Sequence, residues 1–334
     1  MSQARFDVLG LGNAIVDVIA RAEDDFLARE GLNKGAMMLI DEARAASLYA
    51  GMGPGTIVSG GSAANTIVGV ASFGARAAFI GKVRDDEAGR AFAHDIRAVG
   101  VDFRTPFASD GPATARCLVL VTPDGERTMN TYLGACQQLG PEDVDAGLVR
   151  DSEITYLEGY LWDPPAAKEA FVKASEIAHG AGRRVALTLS DTFCVDRYRP
   201  EFLQLIREGT VDILFANQHE LKSLYETSDL ETAIAAVRDE AKLAVVTCSE
   251  HGSIVVSREA TRSVPAHPIE RLVDTTGAGD LFAAGFLAGL ARGADHVDCA
   301  RLGALAAAEV IQHVGARPQR NLAELAAESG LLSR

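Results

Sequence analysis

Short apolar runs alternate with longer amphipathic stretches along most of the 334-residue chain. The short runs FDVLGLG, ARAAFIG, EITYLEG, RVALTLS, VDILFAN and KLAVVTC are typical of buried strands. Apolar residues at helical spacing predict helices, several of them ending at glycine, in SAANTIVGVASFG, EAGRAFAHDIRAVG, PAAKEAFVKASEIAHG, PEFLQLIREG and NQHELKSLYE. Two further apolar helices are predicted, from Asp280 and from about Asp298 to His313. This alternation favours an α/β fold with a mostly parallel central sheet between two helical layers.

One region departs from this alternation. The stretch ATARCLVLVTPDGERTMNTYL consists of two β-rich runs around Pro-Asp-Gly, which is a hairpin signal. A hairpin fits poorly into a parallel sheet, so we expect a small β lid over the active site, formed from about residues 15–42 and 100–135. No Pro/Gly-rich linker divides the chain, and residues 1–334 are therefore expected to form a single domain.

Charge and composition exclude several functional classes. The formal net charge of −14 repels nucleic acid and anionic membrane surfaces, so neither is expected as a partner. The five cysteines are far apart and form no Cys-x-x-Cys pair, which argues against a disulfide framework or a zinc site. MSQARFDVLG lacks the apolar core of a signal peptide, and the apolar run LFAAGFLAGLA is about half the length that spans a bilayer. We therefore expect a cytoplasmic protein.

The stretch DTTGAGDLFAAGFLAG holds three glycines within its first twelve residues, where an apolar helix is predicted to begin. Free N–H groups at such a helix start point outward and carry partial positive charge, and glycines let an anion approach the backbone closely. The turn Thr276–Gly279 is therefore a candidate phosphate site. Asp280, in the first helical turn, has two interpretations: it complements the helix dipole, or it accepts a proton from a hydroxyl that attacks a phosphoryl group.

Three stretches, in order along the chain, resemble motifs of the ribokinase-like (PfkB) family of sugar and nucleoside kinases. DTTGAGD and the apolar helix after it resemble the second signature of that family, and residues 59–89 resemble the first. FANQHE matches the Asn-x-x-Glu element of the family at Asn217 and Glu220. The resemblance extends from about Val8 to Pro318, and it implies a ribokinase-like fold whose catalytic, ATP-binding part covers about residues 150–320.

The family resemblance also implies roles for the phosphate side of the site. Asp280 would be the catalytic base, and the amides of Gly277, Ala278 and Gly279 would hold the transferred phosphoryl group. Asn217 and Glu220 would act on ATP and Mg²⁺, with Glu220 reaching the metal through water. From the residues alone, the pair can equally be a helix N-cap with its capping-box glutamate.

On the acceptor side, Asn13 and Asp17 in GLGNAIVD match family positions that bind sugar hydroxyls. The same resemblance has the sugar cradled by the stretch GGSAAN, through Gly60, Gly61, Ser62 and Asn65. A strand-to-helix turn with a serine cap is the alternative interpretation of that stretch. A dinucleotide fingerprint is rejected for the segment, because Ile15 stands where the third glycine should be.

On the nucleotide side, Thr247 and Gly252 in VVTCSEHGS match the family's Thr-x-Gly-x-x-Gly loop, although Ser249 replaces its first glycine. EVIQHVGARP, residues 309–318, resembles the stretch that flanks the ATP base. Together with Asp274 and Thr276 it would border a candidate monovalent-cation site for K⁺.

Within the family, the stretches GNAIVD, GGSAAN and VALTLSD followed by VDILFAN resemble the adenosine kinases. This resemblance implies transfer from ATP to the 5′-hydroxyl of adenosine, with the purine held by Met37, Leu39, Leu133, Ala135 and Tyr160. Each of these residues can also be ordinary core. The alternatives are a ribose or other free-sugar kinase and a non-catalytic nucleoside- or sugar-binding regulator. The sequence does not decide whether the protein forms a homodimer.

Overall fold

The computed structural model describes residues 4–332. The strands are β1 (Phe6–Leu11), β2 (Ile15–Arg21), β3 (Met37–Leu39), β4 (Gly55–Gly60), β5 (Ala77–Ile80), β6 (Asp102–Phe103), β7 (Ala115–Val121), β8 (Arg127–Tyr132), β9 (Ser152–Glu158), β10 (Arg184–Thr188), β11 (Ile213–Asn217), β12 (Leu243–Thr247), β13 (Ser253–Ser257) and β14 (Thr261–Val264). The helices are α1 (Asp24–Arg29), α2 (Glu42–Gly51), α3 (Ser62–Ser72), α4 (Glu87–Ala98), α5 (Ala146–Arg150), α6 (Pro165–Gly180), α7 (Thr192–Arg207), α8 (Gln218–Leu224), α9 (Leu230–Glu240), α10 (Ala278–Ala291), α11 (His296–Val310) and α12 (Leu322–Glu328).

The central sheet has the strand order β14-β13-β12-β11-β10-β9-β1-β5-β6. Its strands pair in parallel from β12 to β6 in this order. Strand β13 pairs antiparallel with β12, and β14 pairs antiparallel with β13. Two separate apolar cores cover its faces, one including residues of α3, α4, α10 and α11 and the other including residues of α6 to α9. The three-layer α/β/α prediction is confirmed. The sequence could predict it because strands that are buried on both faces appear in the sequence as continuous apolar runs.

A second sheet, which we call the lid, has the order β3-β8-β7-β2-β4. The predicted hairpin is present as the antiparallel pair β7 and β8, and β2 and β3 from the predicted N-terminal segment pair with it in parallel. The predicted lid segments differ from the structure in two places. β4 belongs to the lid through antiparallel pairing with β2, and residues 102–103 belong to the central sheet. β4 is a short run bounded by glycines, so its sequence carries no clear strand pattern.

Helix α7 starts earlier than the stretch PEFLQLIREG predicted. The carboxylate of Asp191 accepts a hydrogen bond from the Cys194 amide at 2.6 Å and caps the helix before Thr192. Pro200 lies inside α7, and a kink at Tyr198 with φ −124° and ψ 18° accommodates it. The earlier start brings Phe193 next to the candidate site.

Close packing of α3, α10 and α11 positions the start of α10. A Cβ atom at Gly69 would lie 2.6 Å from the Cβ atom of Ala284, and one at Gly285 would lie 2.4 Å from the carbonyl oxygen of Leu302. Both glycines therefore permit a helix approach that a side chain would prevent. This packing places the first turns of α3 and α10 side by side.

Candidate active site

A cavity of about 920 Å³ lies between the carboxyl ends of the central strands and the lid. Ligands commonly bind at this edge of parallel sheets. Most of the predicted site residues line it: Asn13, Met37, Leu39, Ser62, Asn65, Leu133, Tyr160, Asn217, Glu220, Thr247, Thr276, Gly277, Ala278, Gly279 and Asp280. Residues far apart in sequence thus meet around one space that is large enough for a nucleoside-sized ligand.

Other predicted residues lie outside the cavity lining. Ala135 is fully buried in the 3₁₀ turn Gly134–Gln138, where its amide donates to the Ala113 carbonyl, so it presents no surface to the cavity. Gly252 has φ 87°, and a Cβ atom there would lie 2.1 Å from the Val264 carbonyl oxygen, so it serves the turn between β12 and β13. The structure therefore gives Gly252 a backbone role at this turn.

Gly60, Gly61 and Asp17 are not among the residues that line the cavity, but the two glycines lie against Asp17 and Asn13. A Cβ atom at Gly60 would lie 2.3 Å from a carboxylate oxygen of Asp17, so the carboxylate rests directly on that glycine. Gly61 has φ 99°, and a Cβ atom there would lie 2.2 Å from the Asn13 carbonyl oxygen. The two glycines therefore allow Asp17 and Asn13 to lie close to the start of α3.

Asp280 lies in the first turn of α10 and contacts the first turn of α3. Its carboxylate accepts a hydrogen bond from the Ser62 hydroxyl at 2.6 Å and one from the Asn65 amide at 3.2 Å. Burial raises the pKa of Asp280 to about 6, although these two hydrogen bonds oppose the shift. A carboxylate with this pKa is ionised near neutral pH and is a stronger base than an ordinary aspartate.

The backbone before Asp280 presents free donors to the cavity. Gly277 has the left-handed φ of 80° that starts α10. Within residues 4–332, the amides of Gly277 and Gly279 have no hydrogen-bond acceptor, whereas the Ala278 amide donates to the Thr275 carbonyl at 3.2 Å. Two of the three predicted amides are therefore free to hold an anion. A Cβ atom at Gly279 would meet nothing within 4 Å, so a phosphate oxygen can approach the backbone there.

The predicted monovalent-cation site at Asp274 and Thr276 does not fit the structure. The Asp274 carboxylate accepts from the amide and hydroxyl of Thr276 and from the Gly315 amide, at 2.7 to 3.0 Å. The lid residue Arg127 also reaches it, with 2.7 Å between Nη2 and Oδ2 and with both side chains nearly buried. The guanidinium already neutralises the aspartate, so a K⁺ ion there would meet a positive charge.

Asn217 and Glu220 form the capping box that was one interpretation of this pair. The Asn217 side chain accepts from the amides of His219 and Glu220, and the Glu220 carboxylate accepts from the Asn217 amide at 3.0 Å. Burial raises the pKa of Glu220 to about 7, and the nearby charge of Asp191 adds to the shift. Both residues still line the cavity, so the cap does not exclude a function there.

Magnesium is implied by kinase chemistry, and Glu220 is the donor that the sequence analysis predicts for it. Within residues 4–332, no group of three or more Asp, Glu, His or Cys side chains is arranged to hold a metal ion. Mg²⁺ in phosphoryl-transfer sites keeps several waters and uses one or two carboxylates together with substrate phosphates. Glu220, one of several carboxylates that line the cavity, suits this mode of binding.

Glu158 is a site residue that the sequence analysis missed. Its buried carboxylate accepts from the Asn13 side chain at 2.7 Å, the Asn13 amide at 3.2 Å and the Ala63 amide at 2.9 Å. Burial raises the pKa of Glu158 to about 7, against the effect of these hydrogen bonds. The carboxylate holds Asn13 against the start of α3. The available signal was an acidic residue at the carboxyl end of a predicted strand.

Phe193 is a second residue that was missed. Its ring lines the cavity and is 61% exposed, although large aromatic side chains are usually covered. The Arg197 guanidinium lies 4.4 Å from the ring centroid and is held by an ion pair with Asp163 at 2.9 Å. Phe193 and Tyr160 both line the cavity and supply aromatic surface on which a planar ring can stack.

The raised pKa values predict how stability depends on pH. Burial raises the pKa of Asp17, Glu158 and Glu220 to about 7 and that of Asp280 to about 6, whereas unfolded carboxyls titrate near about 4. In that interval the folded state binds more protons, so we expect the free energy of unfolding to fall as pH rises from about 5 to about 8. Urea unfolding at a series of pH values across this interval measures the free energy of unfolding.

The matched variant for this prediction is Asp17→Asn. Within the described residues the Asp17 carboxylate accepts no hydrogen bond, so the substitution removes a titrating group without breaking one. The slope of stability against pH should become shallower in this variant. A wild-type stability that increases over the same range would contradict the assigned pKa shifts.

No helix in the described part of the chain is long and apolar enough to cross a membrane.

The fold and the site together define a phosphotransferase that acts on an alcohol group. The chain belongs to the pfkB family of carbohydrate kinases, whose model matches residues 53–322. Membership confirms the predicted kinase class and implies ATP as the phosphate donor. The family resemblance inferred from the motifs is thereby confirmed.

Three relatives show what the chain is similar to. It is 56% identical to an adenosine kinase from Sinorhizobium meliloti of known structure, with a TM-score of 0.91 over 98% of this chain and 100% of the other. A probable sugar kinase from Rhizobium etli CFN 42 is 53% identical, with a TM-score of 0.93 over 99% of this chain and 100% of the other. The adenosine kinase of Saccharomyces cerevisiae is 27% identical over 91% of this chain and 94% of its own.

Proposed function

We propose that the protein transfers the γ-phosphoryl group of ATP to the 5′-hydroxyl of adenosine, forming AMP and ADP. One observation carries this proposal: a single cavity is lined by the Asp280 carboxylate, by the free amides of Gly277 and Gly279, and by aromatic and apolar side chains. Those side chains are Met37, Leu39, Leu133, Tyr160 and Phe193. The adenosine kinase of Sinorhizobium meliloti, 56% identical, supports the same acceptor.

In the proposed reaction Asp280 is the general base. Its ionised carboxylate would take the proton from the 5′-hydroxyl as the new O–P bond forms and the bond from the γ-phosphorus to ADP breaks. The Ser62 and Asn65 donors orient the carboxylate toward α3, where the acceptor would lie. The amides of Gly277 and Gly279 would stabilise the charge on the transferred phosphoryl group. No covalent enzyme intermediate is required.

The remaining residues would bind and orient the two substrates. Asp17 and Asn13 would bind ribose hydroxyls, with Asn13 held by Glu158. Glu220 would hold Mg²⁺ through water and Thr247 would contact the nucleotide. When bound, Mg²⁺ neutralises charge on the phosphates of ATP. A cytoplasmic location and a homodimeric state remain predictions.

A free-sugar kinase is the second candidate, and the 53% identical probable sugar kinase from Rhizobium etli CFN 42 favours it. A sugar without a base would leave much of the aromatic and apolar surface of the cavity uncovered. The regulator hypothesis is less favoured, because Asp280 and the free glycine amides are both present at the cavity.

The test compares nucleosides with free sugars as acceptors for labelled ATP. We expect kcat/KM for adenosine to exceed that for ribose or fructose by at least about a hundredfold, because burying a purine provides several kcal/mol of binding that a free sugar lacks. Efficient phosphorylation of a free sugar with no reaction of adenosine would replace the proposal by the sugar-kinase alternative. Tight binding without turnover of any acceptor would support the regulator.

A further inference from the structure

The loop between α11 and α12 carries an arginine, Arg317, whose side chain reaches Asn65, a residue that lines the cavity in the first turn of α3. Two carboxylates hold the backbone on either side of it. Asp274 accepts from the Gly315 amide at 2.9 Å, and Glu309 accepts from the Gln319 amide at 3.0 Å. The backbone that carries the arginine is therefore held in place on both sides of it.

The Arg317 guanidinium is adjacent to the proposed catalytic base. Its Nε donates to the Asn65 side-chain oxygen at 3.4 Å, and the Asn65 amide nitrogen donates to Asp280 at 3.2 Å. Its Nη2 is buried and has no hydrogen-bond acceptor within residues 4–332. Burial lowers the pKa of Arg317 to about 10, and the negative charge of Asp17 is the largest effect that opposes this. A buried donor without a partner destabilises the free protein, which points to a ligand that completes it.

Asp17 is the matching acceptor. Burial raises its pKa to about 7, and Arg317 is the positive charge that opposes this most strongly. Its carboxylate rests on Gly60 and accepts no hydrogen bond from the described residues. Asp17 rests on Gly60, two residues before the start of α3, and Arg317 reaches Asn65 in the first turn of the same helix. An acceptor and a donor without hydrogen-bond partners among the described residues therefore both lie at the start of α3.

We propose that Arg317 is a specificity-determining residue that binds one hydroxyl of the sugar jointly with Asp17. The hydroxyl would donate its hydrogen to the Asp17 carboxylate and accept a hydrogen bond from Nη2 of Arg317. A hydroxyl is suited to this position because it is donor and acceptor at once. A substrate with hydrogen in its place would leave both buried groups unpaired. The inference rests on the proposed function for the identity of the sugar.

The test is a cycle of variants and substrates. We would measure kcat/KM for adenosine, 2′-deoxyadenosine and 3′-deoxyadenosine with the wild type, Arg317→Gln and the control Arg320→Gln. The Arg320 side chain is exposed on the same loop and pairs with Glu328. For the wild type, one deoxynucleoside should be at least about a hundredfold worse than adenosine. Arg317→Gln should lower kcat/KM for adenosine by about 10- to 100-fold. It should lower kcat/KM for the poor deoxynucleoside by less than about threefold, because that substrate lacks the hydroxyl that Arg317 would bind.

Several outcomes would overturn the inference. An Arg317→Gln enzyme that loses the same factor on all three nucleosides would have only a structural defect, and one that loses nothing would not use the arginine. Arg320→Gln should match the wild type on every substrate. If Arg317→Gln does not fold, Arg317→Lys replaces it in the test. Lysine keeps the positive charge but lacks Nη2, so this variant should show the same selective loss of kcat/KM on adenosine.

A failure of the proposed function can be distinguished from a failure of the inference about Arg317. If the wild type does not phosphorylate adenosine, that proposal fails, and the same cycle is run with the free sugar that the enzyme accepts and its deoxy forms. A selective loss on the sugar that keeps the hydroxyl would still support Arg317 as a hydroxyl-binding residue, and an equal loss on all forms would overturn it.

Discussion

Asp280→Asn is expected to lower kcat by at least about a hundredfold, the usual contribution of a general base, and to leave the KM for ATP nearly unchanged. The amide can still occupy the space of the carboxylate beside Ser62 and Asn65, but it cannot take a proton. Steady-state kinetics with saturating adenosine measures kcat, and thermal unfolding verifies that the variant is folded.

The control for this variant is Asp298→Asn, which removes an exposed carboxylate from α11. It should retain wild-type turnover. The pH profile supplies a second readout: because burial raises the pKa of Asp280 to about 6, the wild-type kcat should fall as pH decreases through that value, while the residual activity of Asp280→Asn should not. Near-normal turnover of Asp280→Asn would remove this residue from the chemistry.

Gly279→Ala is expected to reduce kcat by about a hundredfold or more while leaving the protein at least as stable as the wild type. The new Cβ atom meets nothing within 4 Å in the protein, but it occupies the open space through which a phosphoryl group reaches the free amide. Alanine also favours the first turn of α10 over glycine by up to about 1 kcal/mol. Turnover measurements and urea unfolding on the same preparation test both parts.

Two other glycines serve as controls for Gly279→Ala. Gly180 lies at the end of helix α6, and a Cβ atom there would also meet nothing within 4 Å, so Gly180→Ala should leave turnover unchanged. Gly277 has φ 80°, and its Cβ atom would lie 2.7 Å from Ala316, so Gly277→Ala should lose stability as well as activity. If Gly279→Ala turns over normally, the free amide does not contact the phosphoryl group.

The sequence predicted those parts of the site that depend on local structure. Gly277 to Asp280 form a helix start, and Asn217 with Glu220 forms a cap, so neighbouring residues determine both geometries. The strand and helix alternation predicted the central sheet for the same reason. Periodicity within a short window is sufficient for these features.

The parts that escaped prediction depend on contacts between distant residues. Glu158 holds Asn13 across 145 positions, and Arg127 of the lid reaches Asp274 and cancels the charge on which the cation site depended. Phe193 reaches the cavity because Asp191 starts α7 early. Motif spacing does not reveal such pairs, because each partner reads as an ordinary strand or helix residue.

The most direct test of the account is a crystal structure of the protein with adenosine, Mg²⁺ and a non-hydrolysable ATP analogue. We predict that the 5′-oxygen lies within hydrogen-bond distance, about 2.6–3.2 Å, of the Asp280 carboxylate, and that the γ-phosphoryl mimic accepts hydrogen bonds from the amides of Gly277 and Gly279. Binding of the nucleoside away from Asp280, or of the terminal phosphate away from these amides, would contradict it.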